Sequence, residues 1–147
     1  MPIRCEIVSQ DRLVWEGDAD IVNLPGSDGA MGILPRHAPL LSTLSYGIIN
    51  IRSGGREFNF TVAGGVVEVQ PNLVTVLADS AENVQEIDIA RAEAARQRAE
   101  ELLTQGPGRD TDAYLAIEAA LRRSNLRLDA ARRLRSSRRP PSADQTS

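Results

Sequence analysis

The chain of 147 residues is 41% hydrophobic and 25% charged, a soluble globular profile with room for one ordinary domain or two small ones. It has no apolar run near the roughly 20 residues that cross a bilayer; its single cysteine (Cys5) excludes an intrachain disulfide and a cysteine zinc site, its single histidine (His37) leaves imidazole catalysis one candidate, and the absence of lysine removes P-loop and Schiff-base chemistry. The net charge of −3 conceals a polarised chain: residues 1–88 set twelve carboxylates against five arginines, whereas residues 122–147 set eight arginines against Asp129 and Asp144, which suits the second part to an anionic partner.

The start, Met1-Pro2-Ile3-Arg4-Cys5-Glu6, has no basic segment leading into an apolar one, so no secretory signal is expected. Ile3, Cys5 and Ile7 then alternate with Arg4, Glu6 and Val8, the period of a half-buried strand with Cys5 as a small core residue. A turn at Ser9-Gln10-Asp11-Arg12 leads into Leu13-Val14-Trp15, and further strand-like runs cover residues 19–24, 31–34, 47–52, 58–62, 66–70 and 73–77. Ser53-Gly54-Gly55, Ala63-Gly64-Gly65 and Pro71-Asn72 read as the separators. Many short strands at tight spacing, with no helical stretch between them, predict an antiparallel sandwich or barrel.

Composition changes at residues 81–88. Residues 89–105 and 112–135 are rich in Ala, Leu, Glu and Arg, all good helix formers. Asp88 is placed to cap the first helix, and Asp110 or Thr111 the second. Ala92, Ala95, Ala99 and Leu102 form a stripe on the first; Ala113, Ile117, Ala120, Ser124, Leu128 and Ala131 form one on the second. Gln105-Gly106-Pro107-Gly108-Arg109 breaks the helix, so the two are expected to pack as an antiparallel hairpin. Each alanine buries far less than the ~1.5–3 kcal/mol of a leucine or phenylalanine, which makes the hairpin weakly held and a candidate moving part. The organisation expected is a β-sandwich over 1–86, a helical hairpin over 87–135 and a polar, disordered tail over 136–147.

Little of this chain invites bond-making chemistry. Gly26, Gly29 and Gly32 lack the G-K-[ST] ending of a phosphate loop and precede a strand, so they read as a tight loop. No nearby pattern gives His37 a nucleophile and an orienting acid; a hydrolase would have to recruit one such as Asp28. The C-terminal arginines say more. Glu118 stands four residues before Arg122 and Asp129 four before Arg133, but no acid lies three or four residues from Arg123 or Arg127. Arg91 and Arg98, seven apart, share a face of the first helix, and folding about Gly108 puts Arg91 level with residue 125. Converging arginines call for a phosphate-bearing anion such as a nucleoside triphosphate, an acidic protein partner, or solvent. Nucleic acid fits poorly, because Tyr114 is the only ring after residue 60 and offers no stacking platform.

Three segments carry a resemblance: 24–41, with Pro25-Gly26-Ser27-Asp28-Gly29 and Gly32-Ile33-Leu34-Pro35-Arg36-His37-Ala38-Pro39; 63–79, with Gly64-Gly65-Val66-Val67-Glu68-Val69-Gln70-Pro71-Asn72; and Ile87-Asp88-Ile89-Ala90-Arg91-Ala92. Over about residues 2–135 the chain resembles the epsilon subunits of bacterial rotary F-type ATP synthases. The resemblance implies a β-sandwich of about ten antiparallel strands followed by a two-helix hairpin, in a non-catalytic rotor subunit with no required cofactor or metal. The sandwich is implied to bind the gamma subunit and rest on the c-ring, with Ser27, Asp28, Gly29, Ala30, Met31 and His37 as interface residues. The hairpin is implied to lie compact beside the sandwich or to extend along gamma into the alpha/beta catalytic head, where it blocks ATP hydrolysis. Some members bind ATP in the compact form through Ile-Asp-x-x-Arg-Ala, which matches residues 87–92. The accompanying positions correspond to Glu82, Arg98, Arg123 and Arg127, so Glu82, Asp88, Arg91, Ala92, Arg98, Arg123 and Arg127 are the implied site for ATP as a regulatory ligand. The implied location is peripheral, on the cytoplasmic face of the bacterial plasma membrane and reached only through the complex.

Overall fold

Alternation of inward and outward side chains builds the first unit of the chain, Met1–Glu86. A computed structural model describes residues 1–10, 12–106, 108 and 110–136; of the tail expected over 136–147, Ser136 belongs to the last helix and the rest lies outside the described residues. The first unit contains strands β1 (Ile3–Ser9), β2 (Arg12–Ala19), β3 (Ile21–Gly26), β4 (Gly29–Ile33), β5 (Leu40–Ser53), β6 (Arg56–Gln70), β7 (Leu73–Ala78) and β8 (Ala81–Asn83), then one 3-10 turn at Val84–Glu86. They hydrogen-bond in the order β2-β1-β7-β6-β5-β3-β4, with β8 added to β6. β1 and β7 run parallel, as strands far apart in sequence can; the other pairs are antiparallel.

One ladder becomes two layers at a break in the β5–β6 pairing, which skips Ser45 and Gly64. Before the break, residues 40–44 of β5 pair with residues 65–69 of β6, and that half of β6 continues to β7. Beyond it, residues 46–53 pair with 56–63, and these halves continue to β3 and β8. Each long strand thus serves both layers, and among the described residues eight continuous strands supply the roughly ten of the expected sandwich. Ile3, Cys5, Ile7, Val67, Val69, Val74 and Val76 enter the core from one layer, and Val22, Leu24, Ile33, Ile49, Ile51, Phe60 and Val62 from the other. Burial pushes the Cys5 thiol up to about 12, with Glu6 adding to the shift.

Ala63-Gly64-Gly65, expected as a separator, lies inside β6 instead. Gly64 and Gly65 have φ of 88° and 135° and bend the strand from one layer into the other, as a β-bulge does. A β-carbon on Gly65 would lie 2.4 Å from the Leu77 carbonyl oxygen, so close approach of β7 also demands glycine there.

The second unit begins at Ile87 and consists, among the described residues, of α1 (Ile89–Thr104) and α2 (Thr111–Ser136) packed on each other. Asp88 caps α1, its Oδ1 accepting from the Arg91 amide at 3.0 Å. Asp110, not Thr111, caps α2: its Oδ1 accepts from the Ala113 amide at 3.1 Å. Gly106 (φ 83°) ends the first helix, its amide donating to the Leu103 carbonyl at 3.1 Å. The buried positions are Ala92 and Ala99 on α1 and Ser124, Leu128, Ala130 and Ala131 on α2, a stripe of mostly small side chains.

Candidate functional site

The arginines of the hairpin stand immediately before buried positions: Arg91 before Ala92, Arg98 before Ala99, Arg123 before Ser124, and Arg127 before Leu128. Each residue turns about 100° around a helix axis. In an antiparallel pair, residues that precede the buried stripe therefore come to one edge on both helices, and residues that follow it come to the other. The opposite edge confirms this geometry. Glu93 follows Ala92 and Arg132 follows Ala131, and they meet across the pair, Arg132 Nη2 donating to Glu93 Oε2 at 3.2 Å. A second crossing sets the open end, where Arg135 Nη2 donates to the Ile87 carbonyl at 2.6 Å.

These crossings also fix the level. Arg91 lies between Ile87 and Glu93, whose partners are residues 135 and 132. Helical arginine side chains lean about one turn toward their own N-terminus, so the α2 backbone opposite Arg91 is nearer Arg127. Arg98, seven residues on, lies about 10 Å further along the pair, on the side of Arg123.

The two edges differ in charge. Glu93 Oε1 accepts from Arg96 Nε at 3.1 Å, Arg96 Nη1 donates to Glu100 Oε1 at 2.7 Å, and Asp129 pairs with Arg133 at 3.7 Å. The hydrogen bond from Arg96, with the Arg96 and Arg132 charges, holds the Glu93 carboxyl below its usual range. On the arginine edge, among the described residues, the guanidinium groups of Arg91, Arg98 and Arg123 form no ion pair. Arg127 beside them is half-buried. An edge that gathers guanidinium groups, three of them without an ion pair among the described residues, is chemically suited to an oligophosphate.

The remaining residues of the expected ATP site divide. The Asp88 carboxylate is engaged in capping and so organises the Arg91 backbone. Ala92 is fully buried and allows the helices close approach. Glu82 belongs to the first unit: it sits half-buried on β8, its carbonyl accepting from the Thr61 hydroxyl at 3.4 Å.

In the sandwich, Ser27 and Asp28 form the two-residue turn between β3 and β4, followed by Gly29 at φ 137°. The Ser27 amide donates to the Thr43 carbonyl at 3.0 Å and the Thr43 hydroxyl to Ser27 Oγ at 2.7 Å, tying the exposed tip of Ser27, Asp28, Gly29 and Ala30 to β5. Met31 is half-buried opposite Leu24. His37 follows Arg36, which has φ 66°, and its Nδ1 lies 2.6 Å from the Ala38 carbonyl oxygen; the His37 amide donates to Leu34.

Sequence reasoning missed two features. One is Glu93, whose signal was its place just after Ala92 and three residues before Arg96. The other is a row across the outer face of the β1-containing layer: Thr43, Val66, Leu77, Val8 and Leu13 pair in register. Leu77 is 56% and Leu13 50% exposed. The next row holds Leu41, Glu68, Thr75, Glu6 and Glu16. The signal was the apolar doublets Ile7-Val8, Val66-Val67 and Val76-Leu77, where alternation sends one member of each outward.

The family description "ATP synthase, Delta/Epsilon chain, beta-sandwich domain" matches residues 2–84, and "ATP synthase, Delta/Epsilon chain, long alpha-helix domain" matches residues 85–132. The chain is similar to the ATP synthase epsilon chain of Pelotomaculum thermopropionicum, 51% identical over 100 residues that cover 68% of this chain and 75% of the relative. It is similar also to that of Bordetella petrii, 43% identical over 137 residues covering 92% and 96%. A chain in the cryo-EM structure of the Euglena gracilis mitochondrial ATP synthase shares the fold with TM-score 0.63 at 20% identity, over 92% of this chain and 81% of the other. Two family matches in tandem, spanning strand and helix units alike, lead to one conclusion: the chain belongs to the ATP synthase delta/epsilon chain family.

Proposed function

We propose that this chain is the epsilon subunit of the central stalk in a bacterial proton-translocating ATP synthase. It is a non-catalytic rotor part that links the catalytic head to the c-ring. The sandwich, residues 1–86, docks on the gamma subunit and sets the Ser27–Met31 hairpin and His37 against the c-ring. The hairpin, residues 87–135, restrains ATP hydrolysis when it extends toward the alpha/beta head. The complex places it peripherally on the cytoplasmic face of the plasma membrane. ATP is a regulatory ligand of the compact hairpin, held by Arg91, Arg98, Arg123 and Arg127 with Asp88 as organiser and Glu82 and Ala92 completing the motif. ATP shifts the hairpin equilibrium by its differential affinity for the compact state, and by nothing else.

The observation that carries the docking role is the row of exposed Leu13, Val66 and Leu77 with half-buried Val8 on a sheet face, beside the acidic row of Glu6, Glu16 and Glu68. Contiguous exposed apolar surface on a folded domain marks a protein interface. Capture of the cognate gamma subunit by the full chain tests it. The wild type should bind, and Leu77→Asp should bind at least tenfold more weakly while melting at the wild-type temperature, since that side chain is outside the core. A wild type that does not capture gamma ends the rotor assignment; a Leu77→Asp variant that binds equally well moves the interface elsewhere.

A further inference from the structure

Arg91, Arg98 and Arg123, without ion pairs among the described residues, repel one another across one edge of the two helices, and the stripe of alanines between the helices has little apolar area to resist. Something must hold the pair in register without occupying the arginine edge. One carboxylate is placed to do so. Glu93 bonds Arg96 on its own helix through Oε1 and Arg132 on the other through Oε2, at the edge opposite the four arginines. Arg96 is braced in turn by Glu100, so the carboxylate is presented to α2 by a fixed neighbour. It is also the more enclosed partner of the crossing, its side chain 29% exposed against 65% for Arg132.

We propose that Glu93 is a positioning residue: its bridge to Arg132 clasps the hairpin and sets the register in which Arg91 and Arg98 face the same space as Arg123 and Arg127. The inference rests on the ATP-site reading for its functional consequence, but the clasp itself is a property of the free hairpin. Exposed ion pairs contribute modestly, so the clasp acts on register and population rather than on gross stability. Losing it should weaken ATP by about two- to fivefold. A lost phosphate ligand would cost far more.

The test uses the full chain as Glu93→Gln, Arg132→Gln and the double variant, with two readouts. Without ATP, amide hydrogen exchange of α1 and α2 should speed up in each single variant, and in the double by less than the sum of the two, because the crossing bond is lost in all three while the bond to Arg96 is lost only where Glu93 is replaced. With ATP, calorimetric titration should show the same pattern in affinity. Exchange that is unchanged in the single variants, or that accelerates additively in the double, overturns the clasp. Non-additive exchange with no ATP binding by the wild type keeps the clasp and rejects the ATP site. Single-variant losses of a hundredfold would overturn the positioning role by making Glu93 or Arg132 a direct ligand group.

Discussion

Arg123→Ala separates ligand binding from helix stability, because its two expected effects have opposite signs. Arg123 is half-buried, stands one turn from Arg127, and among the described residues its guanidinium has no ion pair to lose. Like charges at i,i+4 destabilise a helix by about 0.2–0.5 kcal/mol, and alanine is the better helix former. The substitution should therefore leave hairpin stability unchanged or raise it by a few tenths of a kcal/mol. Hydrogen bonds to charged groups contribute about 1.5–3 kcal/mol, so losing a phosphate ligand should weaken ATP by about ten- to 150-fold. Calorimetric titration of the full chain measures the affinity, and helix ellipticity against temperature measures the stability. Arg133→Ala is the control: that residue pairs with Asp129 at 3.7 Å, both largely exposed, and its loss should scarcely change ATP affinity. Equal losses in the two variants would mean diffuse electrostatics instead of a site. A weaker ligand accompanied by a less stable helix would make Arg123 structural, and absence of heat from the wild type at millimolar ATP would assign the arginines to an acidic protein surface.

Gly65→Ala should destabilise the sandwich by about 2–4 kcal/mol, since a β-carbon would stand 2.4 Å from the Leu77 carbonyl oxygen at φ 135°; a melting temperature within a degree of wild type would refute the bulge geometry. Cys5 has its folded pKa raised from 9.0 to about 12, so its contribution to stability is fully present below pH 9 and is lost as pH rises toward 12. Comparing wild type with Cys5→Ala over pH 8–11 checks this, and parallel stability curves would disprove it. Residues 1–86 alone should melt cooperatively, because the large core cluster is drawn wholly from them; a broad, non-cooperative trace would show that the sandwich needs the hairpin. In the assembled synthase, the same truncation should raise ATP hydrolysis under inhibiting conditions while synthesis persists, and unchanged hydrolysis would remove the inhibitory role.

What could be read from the sequence was whatever depends on near neighbours. The alternation of Ile3, Cys5 and Ile7 fixes which side of β1 is buried, and Asp88 is a cap because its side chain reaches an amide three residues on. Ala63-Gly64-Gly65 was misread for a physical reason. Glycines at positive φ serve both turns and bulges, and the choice is made by Ser45, Leu77 and Ser80, which lie elsewhere in the chain. The parallel pairing of β1 with β7 and the short strand β8 depend likewise on partners far away in sequence. In the hairpin, Arg123 and Arg127 stood out because no acid lies three or four residues from either. Glu93, in contrast, looked like an ordinary i,i+3 partner of Arg96, and its bond to Arg132 spans 39 residues that only the fold brings together.

The composition of the hairpin suits the regulatory role proposed for it. A leucine-rich stripe would hold two helices of this length so firmly that no ligand of ordinary affinity could change their state; moving a 99:1 population to its inverse takes about 5.5 kcal/mol of differential binding. An alanine stripe lowers that requirement, but it also gives little register, since small side chains interdigitate weakly. Register then has to come from polar groups. With the Glu93 carboxylate on one edge and guanidinium groups gathered on the other, the proposed clasp would hold without ligand and leave the arginine edge to a polyanion. Moving Glu93 to the arginine edge would neutralise the edge and keep the helices together whether or not anion is present, so the proposed ligand would have nothing to control.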